Sequence, residues 1–342
     1  MMPAHAETVS VTQTEWNDVV SAFPSYNFEQ SAAYTEAMAK SIGGRAAYLV
    51  VKTPDACLGG ASVRIKTLPG CRRGIAYIPG GILISDTPDL PFLARHKYVL
   101  ERLATYLKAQ KHTTIVREPI PSGLVQEVAQ NYGDAGFQPT QYARTYRTIL
   151  LDIAQDPDAI RTGFAAKWRR DLNTSLKSDL QLETGSSPAF QDRFMQVYET
   201  MVDTKELDLA LGPEKFFDLP AQALGLQILI ATKDGKDAAV HLLSCLGDTA
   251  VYLFGASNEI GRATKAGYWI QWQAILAAQD QGCRWYDLGG VDPDTNPGGF
   301  RFKSRMGGAD VRAHGPFCLP SSGVLNPIVA AGLWWKHRKK TS

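Results

Sequence analysis

The chain has 342 residues, of which 44% are hydrophobic and 20% are charged, and its formal net charge is +2. This composition is that of a folded globular protein and excludes a disordered one, and the length predicts roughly two domains of about 150 residues each. The small net charge argues against a dedicated nucleic-acid coat protein, although it permits a local basic groove.

The first half of the chain combines two short helical patterns with a series of strand patterns. Helices are predicted over 15–22 and 30–41, the second ended by Gly43 and Gly44. A long amphipathic helix is predicted over 90–110. Strand patterns separated by turn residues lie at 46–52, 59–67, 74–78 and 113–118.

The second half repeats this order, beginning near Thr148. A helix capped by Asp156 or Asp158 is predicted to contain 167–170, and further helices are predicted over 190–202 and 263–281. Strand patterns lie at 148–152, 227–233, 237–245, 250–256 and 284–288. Because the order helix, helix, strand, strand, strand, helix, strand occurs twice, two similar α/β units are expected rather than one doubly wound sheet.

The most informative stretch is 285–291 (WYDLGGV), a strand pattern that ends in Asp287 and the pair Gly289 and Gly290. Glycine lets the backbone approach a ligand closely or adopt a positive φ. Phe302 and Lys303 follow within a basic cluster at 301–305. A lysine held beside a packed ring can stabilise an anion that appears only in a transition state. The alternative interpretation is that these residues form only a tight turn followed by solvated charges.

Two further segments could bind phosphate groups. The turn 261–267 (GRATKAG) opens a predicted helix, and acetyl-CoA-dependent acyltransferases carry Arg/Gln-x-x-Gly-x-Gly/Ala at such a turn. Arg262 and Gly267 fit, but Lys265 replaces the middle glycine and would crowd a pyrophosphate. Lys167, Arg169 and Arg170 form a basic helix face with Lys177, which could hold a diphosphate or RNA. A plain helix start and a solvated surface are the respective alternatives.

Other chemistries have no support in the sequence. There is no Gly-x-Gly-x-x-Gly or Walker loop, no Gly-x-Ser-x-Gly elbow and no metal-ligand spacing among the six histidines. His241 lies in an apolar strand, which favours a hydrogen-bonded core residue over a catalytic base. The residues therefore predict a direct transfer that needs no metal and no cofactor.

The cysteine content and the hydropathy of the chain indicate its cellular compartment. The five cysteines form no Cys-x-x-Cys pair, which is typical of reduced thiols in a cytoplasmic protein. The first 14 residues lack a signal-peptide core, and no stretch reaches the ~20 apolar residues that span a bilayer. The aromatic and basic tail at 334–340 (WWKHRKK) is typical both of anionic membrane surfaces and of packed terminal helices. A cytoplasmic protein is expected, with peripheral contact at the inner face of the membrane left open.

Taken together, these residues resemble the FemAB family, non-ribosomal aminoacyltransferases that use aminoacyl-tRNA to build peptidoglycan side bridges. The resemblance covers most of the chain and is most specific at 286–290 with Phe302 and Lys303. The other similar segments, in chain order, are 28–34, Gly43, 77–81, 117–119, 136–137, 148–152, 167–177, 252–257 and 272–278.

The resemblance implies an α/β (α+β) fold made of two tandem GNAT-like acyltransferase domains with mixed sheets and a channel between them. The first domain would comprise 1–147 with the returning segment 318–342, and the second 148–317. It also implies that a substrate amine attacks the ester carbonyl of aminoacyl-tRNA to form an amide. Lys303 would supply positive charge to the oxyanion, Phe302 would position it and Tyr252 would line the site.

The expected partners are aminoacyl-tRNA as donor and a lipid-linked or nucleotide-linked peptidoglycan precursor as acceptor, without DNA. Segment 211–217 (LGPEKFF) lacks the arginine that bridge-forming members carry near the start of a helix in the second domain. The alternative is a GNAT-type N-acyltransferase that uses acyl-CoA or acyl carrier protein in envelope polysaccharide or lipid modification; a non-catalytic binding module ranks third. The residues expected to bind substrate are Lys40, Lys167, Arg169, Arg170, Asp287, Gly289, Gly290 and Arg305.

Overall fold

The structure is a computed structural model that describes residues 5–67, 70, 73–86, 90–119, 122–140, 146–205, 212–312 and 314–321. Its contacts divide the chain into two units: Arg147–Asp310, and the residues up to Tyr146 together with those from Val311 onward. This division falls beside the predicted domain limits at 147 and 317, which remain a prediction. Each unit contains one mixed sheet with helices packed on it, so the predicted α/β class with mixed sheets is confirmed.

The first unit alternates helices and strands from its start. Its elements up to Tyr146 are β1 (Glu7–Val11), α1 (Gln13–Val20), α2 (Ala32–Ser41), β2 (Arg45–Lys52), β3 (Cys57–Thr67), β4 (Gly74–Ile78), β5 (Leu83–Ile84), α3 (Phe92–Ala109), β6 (Thr113–Glu118), α4 (Val125–Asp134) and β7 (Gln138–Pro139).

The elements of the second unit follow in the same alternating manner. They are β8 (Arg147–Asp152), α5 (Pro157–Gly163), α6 (Ala166–Ser175), β9 (Gln181–Gly185), α7 (Pro188–Lys205), α8 (Glu214–Phe217), β10 (Leu226–Lys233), β11 (Lys236–Leu246), β12 (Thr249–Ser257), α9 (Glu259–Thr264), α10 (Ala266–Asp280), β13 (Trp285–Asp287) and α11 (Pro297–Ser304). Two strands end the described chain, β14 (Ala309–Arg312) and β15 (His314–Leu319).

The sheet of the first unit has the order β1-β2-β3-β4-β6-β15-β7, with β5 pairing to β3. The pair β4 and β6 is parallel, and β15 runs antiparallel to both β6 and β7. One face of this sheet packs against α3 and α4 through a core that includes Val63, Ile65, Val99, Leu103 and Val116. The chain after α11 therefore contributes a strand to the sheet whose other members precede residue 147.

The sheet of the second unit has the order β14-β8-β13-β12-β11-β10-β9. β12 and β13 are parallel, but they pair only from Thr249 with Trp285 to Val251 with Asp287. Opposite β11, a bulge in β12 places Tyr252 and Phe254 against consecutive residues of that strand. The pairing of β12 with β13 thus ends just before Tyr252 on β12 and just before the turn that contains Gly289 and Gly290.

Two of the predicted helices are each broken in two. Asp156 caps a helix as predicted, accepting from the Asp158 N–H at 2.9 Å, but α5 ends at Gly163 because Phe164 and Ala165 have extended backbones. The prediction of one helix reaching 167–170 was therefore wrong, since these residues lie on α6. The predicted helix 263–281 is divided at Lys265, whose φ of +59° ends α9 and begins α10.

Within the part of the chain that the structure describes, no helix combines the length and the apolar character needed to cross a membrane. The aromatic and basic tail at 334–340 lies outside the described residues.

Candidate active site

Lys303 lies near the end of α11, a short helix whose start is fixed by local chemistry. Pro297 occupies its first turn, and the Asn296 side chain caps it by accepting from the Gly299 N–H at 2.9 Å. Phe302 packs against Tyr268 and Trp168, with ring centres 5.1 and 5.9 Å away. The neighbouring Lys303 Nζ donates to the Gly290 carbonyl at 3.1 Å. The ring thus anchors the helix, and the ammonium group is fixed beside the turn that follows β13.

That turn, 287–290, depends on Asp287 and Gly289. Asp287 Oδ1 accepts from the Gly289 N–H at 2.7 Å and also from the Thr148 hydroxyl. Gly289 has a φ of +69°, and a Cβ at this position would lie 2.3 Å from the Tyr252 carbonyl oxygen. Only glycine fits here, because both the backbone angle and the approach of β12 exclude a side chain.

Lys303 also begins a chain of side-chain contacts that runs into the core. Its Nζ lies 4.9 Å from the centre of the Tyr252 ring, which packs on the His241 ring at 4.2 Å. His241 Nε2 lies 3.1 Å from the Tyr286 hydroxyl, which accepts from Gln271 Nε2 at 2.9 Å. His241 is therefore a buried, hydrogen-bonded residue as predicted, yet it also belongs to the site, which the sequence did not indicate.

Burial sets the protonation states at this site. It lowers the pKa of Lys303 to about 8, and the Asp287 carboxylate opposes this effect. It lowers the pKa of His241 to about 3, and the positive charge of Lys303 adds to the effect. At neutral pH the lysine is thus mostly an ammonium ion beside a neutral imidazole, an arrangement suited to stabilising negative charge rather than to removing a proton.

A pocket of about 210 Å³ opens beside this group, between β11, β12 and the first turns of α10. Its wall includes His241, Tyr252, Gln271 and Phe302, and Arg262 and Gly267 lie on the α9–α10 side. The pocket therefore brings Phe302 and Tyr252, two of the predicted catalytic residues, together with the predicted phosphate-binding turn, and Lys303 lies against the Tyr252 ring. Its size suits a small acyl group rather than a whole substrate.

A second, open groove of about 630 Å³ runs along α6 and is lined by Arg169, Arg170, Lys177 and polar residues. Arg169 donates to the carbonyls of Thr162, at 2.7 Å, and Phe164, so it also joins the end of α5 to α6. Arg170 and Lys177 are exposed, and neither side chain has a hydrogen-bond or ion-pair partner among the described residues. The groove thus presents cationic groups that are free to meet phosphates.

The other predicted residues lie apart from these groups. Lys167 pairs with Asp171 at 3.4 Å on α6, and the Arg305 carbonyl accepts from the Ala165 N–H at 2.8 Å. Lys40 is exposed in the last turn of α2 and belongs to the first unit. Segment 211–217 is described from Gly212 onward and contains α8. The substrate-binding roles of these residues stay predictions.

Among the described residues, no group of three or more His, Cys, Asp and Glu side chains is placed to hold a metal ion.

Comparison with known proteins relates the chain to one family. Residues 224–330 match the sequence model of the FemAB family. The chain is 25% identical over 171 residues to the UDP-N-acetylmuramoylpentapeptide-lysine N(6)-alanyltransferase of Weissella viridescens, a match that covers 48% of this chain and 49% of that protein. The chain thus matches about half the length of this curated relative.

Solved structures show the same fold over nearly the whole chain. The crystal structure of FemX superposes with a TM-score of 0.78 at 16% identity, covering 95% of this chain and 99% of that one. A conserved protein of unknown function from Bacteroides thetaiotaomicron has a TM-score of 0.60 at 13% identity, covering 91% and 99% of the two chains. With the family match, these findings confirm the predicted resemblance to the FemAB family.

Proposed function

Because residues 224–330 match the sequence model of the FemAB family, we propose that the chain is an aminoacyltransferase that moves an amino acid from aminoacyl-tRNA to an amine of a peptidoglycan precursor. The observation that carries the proposal is the Lys303 ammonium group, held by the Gly290 carbonyl and the Tyr252 ring beside a small pocket. The name of the curated relative, an alanyltransferase acting on the lysine of a muramoylpentapeptide, supports the class of donor group and acceptor.

The reaction is an aminolysis of an ester. The acceptor amine attacks the carbonyl carbon of the aminoacyl ester, a C–N bond forms, and the C–O bond to the ribose breaks. The ribose oxygen leaves as a hydroxyl and takes up the proton that the amine loses. The ester is already activated, so the protein has to orient the two substrates and stabilise the charge of the transition state.

Lys303 would act on the oxyanion that develops at the carbonyl carbon. An ammonium group has three N–H donors, and the Gly290 carbonyl takes one of them. The remaining donors can point at the carbonyl oxygen of the substrate, in a half-buried place where water competes weakly. Phe302 anchors the helix of Lys303 by packing on Tyr268, and the face of the Tyr252 ring attracts the ammonium group.

The groove on α6 supports a nucleic-acid donor. Arg170 and Lys177 present positive charge without a partner in the described part of the chain, as phosphate-binding side chains do. An aminoacyl-tRNA would place its acyl end in the pocket and its backbone phosphates on a basic surface of the same unit. We therefore assign this groove to the donor.

A second candidate is an N-acyltransferase that uses acyl-CoA or acyl carrier protein. It is favoured by Arg262 and Gly267, which line the same pocket as Tyr252 at the start of α10. Lys265 has the left-handed backbone conformation that glycine adopts freely. The backbone of this turn is therefore one that a glycine would also allow, and the difference from a glycine-containing turn is the Lys265 side chain.

A transfer assay separates the two candidates. Full-length protein is incubated with radiolabelled aminoacyl-tRNA or with labelled acetyl-CoA, in each case with nucleotide-linked and lipid-linked peptidoglycan precursors. Label from tRNA should appear in the precursor in a bond that survives mild alkali, because an amide resists conditions that hydrolyse the ester. Label that moves only from CoA would establish the second candidate, and no transfer from either donor would contradict both.

A further inference from the structure

A separate cluster of charged and aromatic side chains lies in the first unit, beside α2. Arg64 on β3 is paired across the strands with Tyr77 on β4. Its guanidinium carbon lies 5.0 Å from the centre of the Tyr34 ring and 6.0 Å from that of Tyr77. The adjacent residues Val63 and Ile65 belong to the core on the opposite face of the sheet. Arg64 is therefore held against two aromatic rings and not extended into solvent.

Two guanidinium nitrogens of Arg64, Nε and Nη2, are buried and have no hydrogen-bond partner among the residues that the structure describes. These atoms share one edge of the planar group, so their N–H bonds point outward side by side. Buried donors in folded proteins are nearly always paired, and an unpaired buried charge is destabilising. An acceptor that offers two adjacent oxygens would satisfy both donors at once.

The charges around Arg64 do not supply that acceptor. The Glu29 carboxylate, whose field reaches Arg64, forms its ion pair with Arg117. Burial raises the pKa of Tyr34 to about 12 and also raises the pKa of Tyr77, so both phenols are neutral at physiological pH. Two guanidinium groups and one carboxylate leave a single net positive charge in this cluster.

We propose that Arg64 binds an oxyanion, the carboxylate or phosphate group of a ligand, through Nε and Nη2 beside the rings of Tyr34 and Tyr77. The edge of the guanidinium matches two oxygens of either group, and the rings shield the pair from water. Ser62, two residues earlier on the same strand face, has a buried hydroxyl without a partner in the described part of the chain and can provide a further donor. This site is formed within the first unit and does not depend on the transfer proposed for Lys303.

The test is an anion titration of the full-length protein. Inorganic phosphate and acetate are added in separate arms at constant ionic strength, with chloride as the balancing anion, and binding is followed by calorimetry and by the unfolding temperature. We expect saturable binding in at least one arm, and the arm that binds identifies phosphate or carboxylate as the recognised group. Arg64→Met, which keeps most of the side-chain stem, should weaken that binding by about tenfold to a hundredfold. Arg45→Met, at an exposed position on β2, should bind like the wild type.

Stability without added anion distinguishes a binding role from a structural one. Because the wild-type charge is unpaired, Arg64→Met should unfold at the same temperature as the wild type or a higher one when only chloride is present. A lower unfolding temperature would mean that Arg64 is a structural residue and would overturn the proposal. So would wild-type protein that binds neither anion saturably, or folded Arg64→Met that binds as tightly as the wild type. None of these readouts requires acyl transfer.

Discussion

At the scale of single residues, Lys303 has an environment that lowers its pKa without removing its charge at neutral pH. Desolvation disfavours the ammonium form, while Asp287 and the Gly290 carbonyl favour it. The resulting pKa of about 8 places most of the lysine in the charged form near pH 7. Such a residue interacts strongly with an anion because few water molecules screen it.

Replacing Lys303 should therefore impair catalysis far more than folding. For Lys303→Met we expect the single-turnover rate of transfer to fall by about 10²- to 10³-fold, the usual effect of removing one donor to an oxyanion. The unfolding temperature should stay the same or rise, since a desolvated charge is removed. Lys236→Met, which removes an exposed lysine of the same unit, is the matched control. A Lys303→Met protein that is fully active, or one that no longer folds, would contradict the assigned role.

The pH dependence of transfer should reveal the titration of Lys303. Above pH about 8 the ammonium form declines tenfold per pH unit, whereas the neutral form of an acceptor lysine amine, with a pKa of ~10.4, increases tenfold. The logarithm of the rate should thus rise with a slope of about one below pH 8 and level off above it. Lys303→Arg, which stays charged, should continue to rise through that range at a lower absolute rate. Identical profiles for the two proteins would show that Lys303 is not the group that titrates.

At the scale of secondary-structure elements, α10 is set by the backbone conformation of the residues at its two ends. Lys265 begins it with a φ of +59°, and Gly282 follows it with a φ of +81°. A non-glycine residue in the left-handed region costs about 1–2 kcal/mol, whereas glycine adopts it freely. The chain therefore has a favourable residue at the end of α10 and an unfavourable one at its start.

Exchanging the two kinds of residue should change stability in opposite directions. Lys265→Gly should raise the free energy of unfolding by about 0.5 kcal/mol, since relief of strain exceeds the added flexibility of the unfolded chain. Gly282→Ala should lower it by about 1 kcal/mol through backbone strain alone, because a Cβ at position 282 would point into open space. Urea denaturation of the two variants measures both values. A loss of stability in Lys265→Gly would show that the Lys265 side chain makes a stabilising contact.

The basic residues that line the groove on α6 differ in their roles, because Arg169 also contributes to stability. The double variant Arg170→Gln/Lys177→Gln should reduce the slope of the logarithm of the tRNA binding constant against the logarithm of salt concentration. The reduction should correspond to the loss of up to about two phosphate contacts, and stability should stay unchanged. Arg169→Gln should also lower the free energy of unfolding by about 1 kcal/mol, because the carbonyls of Thr162 and Phe164 lose a charged donor. Binding measured against salt concentration, with Lys236→Gln as control, tests this. An unchanged slope in the double variant would mean that Arg170 and Lys177 belong to an ordinary solvated surface and do not contact phosphates.

At the scale of the whole molecule, the first unit depends on a strand that is distant in sequence. Phe317 of β15 is 3% exposed and stacks on Tyr132 at 4.1 Å with nearly parallel rings. Phe317→Ala should lower the free energy of unfolding by about 3–5 kcal/mol, as large core truncations do, and Phe317→Leu by much less. Thermal or urea unfolding of the intact chain measures the difference. An effect near zero for Phe317→Ala would mean that β15 contributes little to the stability of this sheet.

Local patterns predicted most of the elements, and the exceptions have physical reasons. The strands at 74–78 and 113–118 were predicted with their observed limits, because alternating or apolar runs there are bounded by turn residues. β15 (HGPFCL) was missed because a Gly-Pro pair argues against a strand, and its pairing with β6 and β7 overrides that preference. α11 (PGGFRFKS) was missed because two glycines weaken the helical pattern, which capping by Asn296 restores.

The candidate site was predictable only in part. The resemblance and the requirement for glycine at a close approach led to Phe302, Lys303 and the Gly289–Gly290 turn, which lie together in the structure and whose catalytic roles stay predictions. The contact between His241 and Tyr286 could not be found in this way, because it depends on the register of β11, β12 and β13. The signal in the sequence was a histidine and a tyrosine within otherwise apolar strands, which indicated buried polar groups but not their partner.

The place of β15 also has a consequence for how the protein is made. A ribosome produces β6 and β7 early, but the strand that lies between them emerges only after residues 147–310 have been synthesised. Until then, the β6 and β7 edges that β15 will join have unpaired backbone groups, which is a hazard for a nascent chain. The unit formed by 147–310 can complete its fold during that interval. In the cell, the unit that is started first is therefore the one that is finished last.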